Sequence, residues 1–389
     1  MDQSRLYYQA PYVKSFMSTV TGCAPSGRGT WLVTLNQTGF YPEGGGQPWD
    51  TGTLNGARVV AVHEKNGEVI HEVESPFEEG TFAEGVIDWQ RRFDHMQNHT
   101  GEHILSGLVH AAYGYDNVGF HMSADEVTVD FNGPLTMDQI LEIEARANQL
   151  VWENVPVEES FFEGEELAHQ EYRSKKELAG PVRLITIPGG DVCACCGTHV
   201  ARTGEIGLIK VTWMINYKGG VRLGMVCGRW ALENYKNRVI RDTRIGNLLS
   251  AKQDEIDGAV ERMLTESQGK DQQIGALWRR LFEQKTAAFP EKDEPLCLFE
   301  EEASPVRLRQ YCTMLWEGKK GSVVLVCSGG EGDYSYALGS ETHDCRAIAK
   351  ALNSALNGRG GGSVQMAQGT FRADEASVRR AFLQVTGEV

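Results

Sequence analysis

The chain of 389 residues lacks any long apolar run, and its first residues lack the apolar stretch of a signal peptide. A membrane-spanning helix needs about 18 to 20 consecutive apolar residues, and a secretory signal needs a shorter apolar segment after its basic start. We therefore expect no membrane segment and a cytoplasmic location. The content of 41% hydrophobic and 23% charged residues excludes wholesale disorder, and at this length it predicts two or three compact domains.

Positive charge is also scarce, because 38 Lys and Arg face 53 Asp and Glu for a net charge of −15. Contacts to phosphates need Lys and Arg, so this balance argues against a general nucleic-acid binder. The deficit is uneven, however, since residues 201–250 hold nine basic residues against three acids. That segment could form a basic face for a polyanion or an ordinary solvated surface, and composition leaves both interpretations open.

The nine cysteines are an odd number, and three of them, Cys193, Cys195 and Cys196, lie close to His199. Such crowding beside a histidine suits a metal site in a reducing compartment better than a disulfide framework. We interpret the six scattered cysteines as small buried apolar residues.

Hydrophobic patterning predicts an α+β protein. Up to about residue 90, short runs alternate apolar and polar residues, and Asn66-Gly67 between two of them is a hairpin signal. These features predict a small β-barrel domain over residues 1–90. A helical period then begins, Thr136 opens a second helix with a capping box, and strands are expected at Val127–Phe131 and Val182–Ile187. Residues 91–235 are therefore predicted to form a central α+β domain.

Two further regions complete the predicted organisation. Apolar residues between 246 and 285 follow a four-three spacing, which indicates a helical arm over 236–290 or an ordinary amphipathic helix pair in a core. Residues 291–389 are predicted to form an α/β domain, with a strand at Val323–Cys327, a helix at Arg346–Leu356 and a flexible glycine-rich turn at 358–363. That turn could approach a phosphate or simply end a helix. The oligomeric state stays open, and a dimer could form through the arm or this last domain.

Two short-spaced pairs of ligand-type residues predict a metal site. His99 and His103 lie one helical turn apart, and Cys195 and His199 lie close together around a glycine. Three imidazoles and one thiolate suit the tetrahedral preference of zinc. Cys196 could replace Cys195 as the ligand, and Cys193 with Cys196 could form a redox pair; we predict Cys195. Four protein ligands are typical of structural zinc, yet zinc can expand to five-coordinate, so catalysis stays open.

The motifs together resemble a known family. The matching segments are Thr38-Gly-Phe-Tyr-Pro-Glu-Gly-Gly-Gly-Gln47 with Asp50 and Gly52, His99-Thr-Gly-Glu-His103, Asp130-Phe131 and Cys195-Cys-Gly-Thr-His199. In this order they resemble the editing region of alanyl-tRNA synthetase and its free-standing AlaX-type relatives. The segment from Gly360 to Gln368 is similar to the DHH-associated domain at the C-terminal end of longer members. One departure is Cys196, which stands where the family has glycine.

The resemblance implies a zinc-dependent deacylase that hydrolyses tRNA(Ala) mischarged with serine or glycine. Fewer than forty residues precede Thr38, so we expect the form that edits in trans. The implied zinc ligands are His99, His103, Cys195 and His199. Substrate contacts are expected at Thr38, which would recognise the seryl hydroxyl, at His121, and at Gly44, Gly45 and Gly46, which would let the backbone approach closely.

The catalytic base is less constrained by these motifs. Glu102, inside the helical motif, is the predicted general base. The same His-x-x-Glu-His pattern occurs in zinc peptidases, but these need a downstream carboxylate ligand that Cys195 and His199 do not supply. A non-enzymatic RNA-binding protein with a structural zinc is the alternative function.

Overall fold

The computed structural model describes residues 4–27, 29–174, 180–330 and 332–387. The chain divides after Arg244 into two compact units. The four-domain division predicted from the sequence stays a prediction. Among the described residues, no helix is long and apolar enough to cross a membrane.

The first unit opens with a short helix and a closed six-stranded barrel. The elements are α1 (Leu6–Gln9), β1 (Ser15–Pro25), β2 (Trp31–Leu35), β3 (Gly52–Leu54), β4 (Ala57–Lys65), β5 (Glu68–Val73) and β6 (Phe82–Ile87), with barrel order β1-β2-β5-β4-β3-β6. Asn66 and Gly67 both have positive φ, as the predicted hairpin between β4 and β5 requires. Alternating residues such as Val33, Leu54 and Val59 fill the interior. The predicted N-terminal barrel is confirmed.

The rest of the first unit packs helices against two antiparallel sheets. Its elements are α2 (Trp89–Tyr113), β7 (Asn117–Met122), β8 (Val127–Phe131), α3 (Met137–Glu153), β9 (Glu158–Phe162), α4 (Gly164–Ala168), β10 (Val182–Ile187), β11 (Asp191–Ala194), β12 (Ile209–Tyr217) and β13 (Gly220–Cys227). The sheets have the orders β12-β13-β8-β7 and β11-β10-β9. Thr136 caps α3 with the predicted capping box. The mixed α+β class is therefore confirmed.

Helix α5 (Gly228–Leu249) runs across the division, and the second unit continues with α6 (Ile256–Ala288). The predicted helical character of this region is confirmed. Within α6, Ala259 and Phe282 are buried, whereas Met263, Ile274 and Leu277 of the predicted apolar stripe are exposed. Phe282 stacks on Tyr311 with ring centroids 4.4 Å apart, which fixes the end of the helix.

The remainder of the second unit is a five-stranded sheet with helices on both faces. Its elements are β14 (Leu296–Glu300), α7 (Pro305–Glu317), β15 (Val324–Gly330), β16 (Asp333–Gly339), α8 (Cys345–Ala355), β17 (Arg359–Gly362), β18 (Met366–Arg372) and α9 (Glu375–Thr386), with sheet order β14-β15-β16-β18-β17. Strands β14 and β15 are parallel, and the other neighbours are antiparallel. The predicted C-terminal α/β region is confirmed.

One local prediction in this unit is wrong. The glycine-rich segment expected to be a flexible turn is the edge strand β17, paired with β18. A Cβ at Gly360 would lie 2.2 Å from the carbonyl oxygen of Gln368, and one at Gly362 would lie 2.1 Å from that of Met366. The glycines therefore permit close strand pairing, which a local pattern of glycines does not distinguish from a turn.

Candidate metal centre

Helix α2 carries the first two residues of the centre. It begins after Asp88, whose carboxylate accepts from the N–H of Arg91, and ends at Gly114 in the left-handed conformation. Nearly every residue from Arg92 to Val109 is buried. His99 and His103 project from one side of this helix, with ring centroids 5.3 Å apart.

The loop that follows β11 carries the other two residues. Gly197 packs directly on His99, because a Cβ there would lie 2.0 Å from the imidazole Cε1. The N–H of Gly197 donates to Sγ of Cys195 at 3.2 Å. Arg183 of β10 donates to the carbonyl oxygens of Cys195 and Gly197 at 2.9 and 2.8 Å. Contacts with His99 of α2 and with Arg183 of β10 thus fix the conformation of the loop.

These two segments meet in one cluster. One nitrogen of each of His99, His103 and His199 and the sulfur of Cys195 all lie within 4.8 Å of one another. Sγ of Cys195 is 3.4 Å from Nε2 of His99 and 3.3 Å from Nε2 of His199. The three histidines are buried. This group could hold a metal ion, and its members are the residues that the sequence singled out.

Each imidazole is oriented by an oxygen atom at its other nitrogen. Nδ1 of the three rings lies near Oε1 of Gln47 for His99 (2.8 Å), Oδ2 of Asp191 for His103 (3.1 Å) and Oγ1 of Thr100 for His199 (3.2 Å). Because the Thr100 hydroxyl donates to the carbonyl oxygen of Met96, it accepts from the ring. The arrangement assigns a proton to each Nδ1 and leaves Nε2 facing the cluster.

The thiol pKa of Cys195 is shifted in the opposite direction from those of Cys193 and Cys196. Burial alone would raise the pKa of the Cys195 thiol, but positive charge on the surrounding histidines and a hydrogen bond from His103 hold it well below its usual range. Burial raises the pKa of Cys193 to about 11, and burial together with the Cys195 thiolate raises the pKa of Cys196. Cys196 is exposed. A thiolate, the form that binds metals, is therefore favoured at Cys195.

The glycine run after Tyr41 connects the barrel to the cluster. Gly44 and Gln47 exchange backbone hydrogen bonds, and Gly45 and Gly46 take φ values of +58° and +84°. A Cβ at Gly46 would lie 2.5 Å from the ring of Phe120, and that ring stacks on His99 at 5.0 Å. The space around Gly45 is open. This tight turn delivers the Gln47 amide to His99.

The other predicted site residues occupy different surroundings. The Thr38 hydroxyl lies inside the barrel, 2.8 Å from Nε2 of His71, and accepts from the N–H of Phe40. His121 is exposed on β7. Glu102 is buried, and its Oε1 accepts from Ser106 at 2.5 Å and from Asn117. The substrate roles of Thr38 and His121 and the role of Glu102 as base stay predictions.

Several residues around the centre were not given a role from the sequence, namely Gln47, Thr100, Asp191, Arg183 and Arg173. Gln47 ends the glycine motif, and that position was a usable signal. Asp191 and Arg173 are ordinary residues in the sequence, and only strand register and helix packing bring them to His103.

A cleft of about 520 Å³ reaches the cluster at His199. Its walls come from the segment around α1, from β9 and β10, and from the loop that follows β11, which we call the metal loop. They include Tyr8, Tyr12, Phe161 and Arg183. The hydroxyl of Tyr8 donates to the carbonyl oxygen of Cys196 at 3.0 Å. The N-terminal segment therefore lines an approach to the centre and also touches its loop.

Comparisons with known proteins agree with the motifs. Residues 182–229 match the family model described as the threonyl and alanyl tRNA synthetase second additional domain. The whole chain is 32% identical to part of an alanine–tRNA ligase from Pyrococcus furiosus, of which it covers 44%. It spans less than half the length of the alanine–tRNA ligases that it matches.

Relatives of similar length are also known. The alanyl-tRNA editing protein AlaX-L of Pyrococcus horikoshii is 28% identical, and the match covers 95% of both chains. The alanyl-tRNA editing protein Aarsd1 of Mus musculus is 31% identical over 51% of this chain and 52% of its own length. The resemblance read from the motifs is thereby confirmed: the chain is similar to AlaX-type alanyl-tRNA editing proteins and to the corresponding part of alanine–tRNA ligases.

Proposed function

We propose that this protein hydrolyses the ester bond of tRNA(Ala) mischarged with serine or glycine, at a zinc ion held by His99, His103, Cys195 and His199. The observation that carries the proposal is the convergence of three imidazoles and one low-pKa thiol within 4.8 Å. The relatives of this chain, which are alanine–tRNA ligases and alanyl-tRNA editing proteins, support alanyl-tRNA as the substrate class.

The donor set fits zinc. Three nitrogens and one sulfur match the ligands that tetrahedral zinc prefers. The Nδ1 partners Gln47, Asp191 and Thr100 leave the Nε2 lone pairs turned inward. Little reorganisation is then needed for binding. Once bound, zinc would act as a Lewis acid that stabilises negative charge developing on the carbonyl oxygen of the ester.

The protein residues supply positioning and selection. A synthetase pocket shaped for alanine cannot sterically exclude glycine and rejects serine only modestly, so a second, hydrolytic site is required. In this proposal the open backbone at Gly45 receives the substrate, and Thr38 recognises the seryl hydroxyl after exchanging its contact with His71. Glu102 accepts the proton of the attacking water, and the hydrogen bonds that it accepts from Ser106 and Asn117 hold its carboxyl group in place.

Deacylation of Ser-tRNA(Ala), Gly-tRNA(Ala) and Ala-tRNA(Ala) by the full chain tests this function. We expect loss of the first two esters and retention of the third. The Cys195→Ser variant should lose activity and metal, whereas Cys196→Ser is the matched control, since Cys196 is exposed and outside the cluster. Stability of all three esters would refute the proposed reaction, and equal loss of all three would refute proofreading.

One observation favours an alternative, an RNA-binding protein with structural zinc, because four protein ligands fill a tetrahedral coordination sphere. This alternative predicts that tRNA(Ala) binds with its ester intact and that metal removal unfolds the first unit. The deacylation assay combined with circular dichroism of the metal-free protein distinguishes the two functions. A folded, inactive metal-free protein supports hydrolysis at the metal.

A further inference from the structure

A buried carboxylate lies on the side of His103 that faces away from the cluster. Asp191 opens β11, its side chain is 2% exposed, and its Oδ2 lies 3.1 Å from Nδ1 of His103. Arg173 donates its Nε to Oδ1 and its Nη2 to Oδ2 of the same carboxylate, both at 2.8 Å. The three side chains form a continuous chain from Arg173 to the cluster.

The fold is built to permit this contact. Asp191 follows the hairpin turn at Gly189 and Gly190, and Gly107 of α2 faces it across the interface. A Cβ at Gly107 would lie 2.1 Å from the carbonyl oxygen of Gly190 and 2.7 Å from Cβ of Asp191. Because glycine lets the helix approach β11 this closely, the carboxylate reaches the imidazole one turn earlier on α2.

Arg173 is also fixed by the backbone. Its N–H donates to the carbonyl oxygen of Val192 at 2.8 Å, and its carbonyl oxygen accepts from Ala194 at 2.9 Å. It forms an isolated bridge with Cys193, which places it beside β11. A bidentate fork between a guanidinium and a carboxylate fixes orientation as well as charge. Asp191 therefore has little freedom to turn away from His103.

The three imidazoles have chemically different acceptors. His99 has a neutral amide and His199 a hydroxyl, whereas His103 has a carboxylate. A carboxylate acceptor makes the opposite ring nitrogen a stronger metal ligand than a neutral acceptor does. Arg173 donates to both oxygens of this carboxylate, so the acceptor of His103 is paired with a guanidinium, whereas the acceptors of His99 and His199 are neutral groups.

An alternative interpretation is that Asp191 helps to bind a second metal ion, since one ligand atom each of His103, Asp191 and Cys193 also lie within 4.8 Å of one another. The guanidinium of Arg173 already occupies both oxygens of Asp191. The buried Cys193 thiol donates to the carbonyl oxygen of Ala194 at 3.6 Å, so its proton is already engaged there. These contacts favour support of the first site over a second one.

We propose that Asp191 and Arg173 are positioning residues of the metal centre. Asp191 fixes the ring of His103 and strengthens its Nε2 as a ligand, and Arg173 holds the carboxylate in place. The inference rests on the metal site of the proposed function, but it concerns metal affinity and not the identity of the ester.

Metal affinity of the full chain tests it, with Asp191→Asn as the main variant. Zinc affinity is measured by competition with a chromophoric chelator, and ligand geometry by the absorption spectrum of the Co²⁺-loaded protein. Asp191→Asn should lose about 10- to 100-fold in affinity and shift the Co²⁺ bands. Asp94→Asn is the matched control, because Asp94 is a buried aspartate on α2 paired to Arg229. It should stay within about threefold of wild type.

Arg173→Gln provides an independent measurement. It keeps the carboxylate but removes the fork, and it should weaken zinc binding by a smaller factor, about 3- to 10-fold. If Asp191→Asn does not fold, the zinc affinity of Arg173→Gln tests the proposal instead. Unchanged affinity in whichever folded variant is measured overturns the proposal. A wild-type protein that binds zinc but leaves Ser-tRNA(Ala) intact would refute the proposed function, while the affinity differences would still support the positioning role.

Discussion

The buried ion pair between Asp50 and Arg92 offers the sharpest test of how the barrel is joined to α2. Both side chains are 0% exposed. Arg92 donates to Asp50 and also to the carbonyl oxygens of Pro11 and Gly39, at 3.1 and 2.7 Å. The guanidinium is therefore enclosed by acceptors from the barrel side. Removing the charge of Asp50 leaves a buried cation without its counter-ion.

We expect Asp50→Asn to lower the free energy of unfolding of the first unit by about 3–5 kcal/mol, the usual cost of breaking a buried ion pair. The control is Glu64→Gln, which breaks the pair of Glu64 with Arg5, where the two side chains are 36% and 20% exposed. Such a pair contributes at most about 1 kcal/mol. The contrast between these two barrel carboxylates measures the effect of burial.

Urea unfolding followed by tryptophan fluorescence provides the measurement, because most of the tryptophans lie in the first unit. A double variant, Asp50→Asn with Arg92→Met, removes the orphaned charge and should be less destabilised than the sum of the single variants. If Asp50→Asn lowers the free energy of unfolding no more than Glu64→Gln does, the buried ion pair does not stabilise this interface. Strict additivity in the double variant would lead to the same conclusion.

Three further predictions concern the loop, acid stability and the ion. Gly197→Ala should abolish stoichiometric zinc, measured by elemental analysis, because its Cβ would lie 2.0 Å from the ring of His99. The control Gly269→Ala should retain the metal, because Gly269 lies in helix α6 and a Cβ added there meets open space. Burial lowers the pKa of His71 to about 4 from the ordinary 6.5. Above pH 6.5 the ring is neutral in both the folded and the unfolded state, so the folded state has its full stability there. Stability should fall by about 3 kcal/mol as pH drops from 6.5 to 4, with a smaller fall in His71→Gln, measured by urea midpoints. Chelation should lower the melting temperature of the first unit and leave that of the second unchanged, since an ion at about 100 times its Kd adds about 2.7 kcal/mol; two equal shifts in calorimetry would contradict this.

Local patterns predicted the elements well where burial follows a simple period. Val127–Phe131 and Val182–Ile187 are strands with the expected bounds, and Thr136 caps its helix. The strand at 359–362 was missed because glycines remove the alternation of side chains by which a strand is recognised. Its pairing depends on contacts with β18 that the sequence of the segment does not encode.

The same limit applies to the candidate site. The cluster residues were predictable because short spacing between ligand-type residues is itself a chemical signal. The contacts of their Nδ1 atoms were not predictable, since Asp191 lies 88 residues from His103, and Gln47, although it ends the glycine motif, lies 52 residues from His99. Such contacts arise from strand register and helix packing. Buried Asp and Gln become informative once the tertiary structure places them beside an imidazole.

Hydrogen bonds from the N-terminal barrel region to the metal loop limit which fragments of this protein could retain an intact metal centre. Gln47 bonds both His99 and the Thr198 of the loop, and Tyr8 bonds Cys196. A fragment that starts at α2 would keep all four candidate ligands in its sequence. It would lose the Gln47 amide that orients the ring of His99 and the Tyr8 hydroxyl that bonds the loop at Cys196. Grafting the centre onto another scaffold therefore means transplanting the barrel with it.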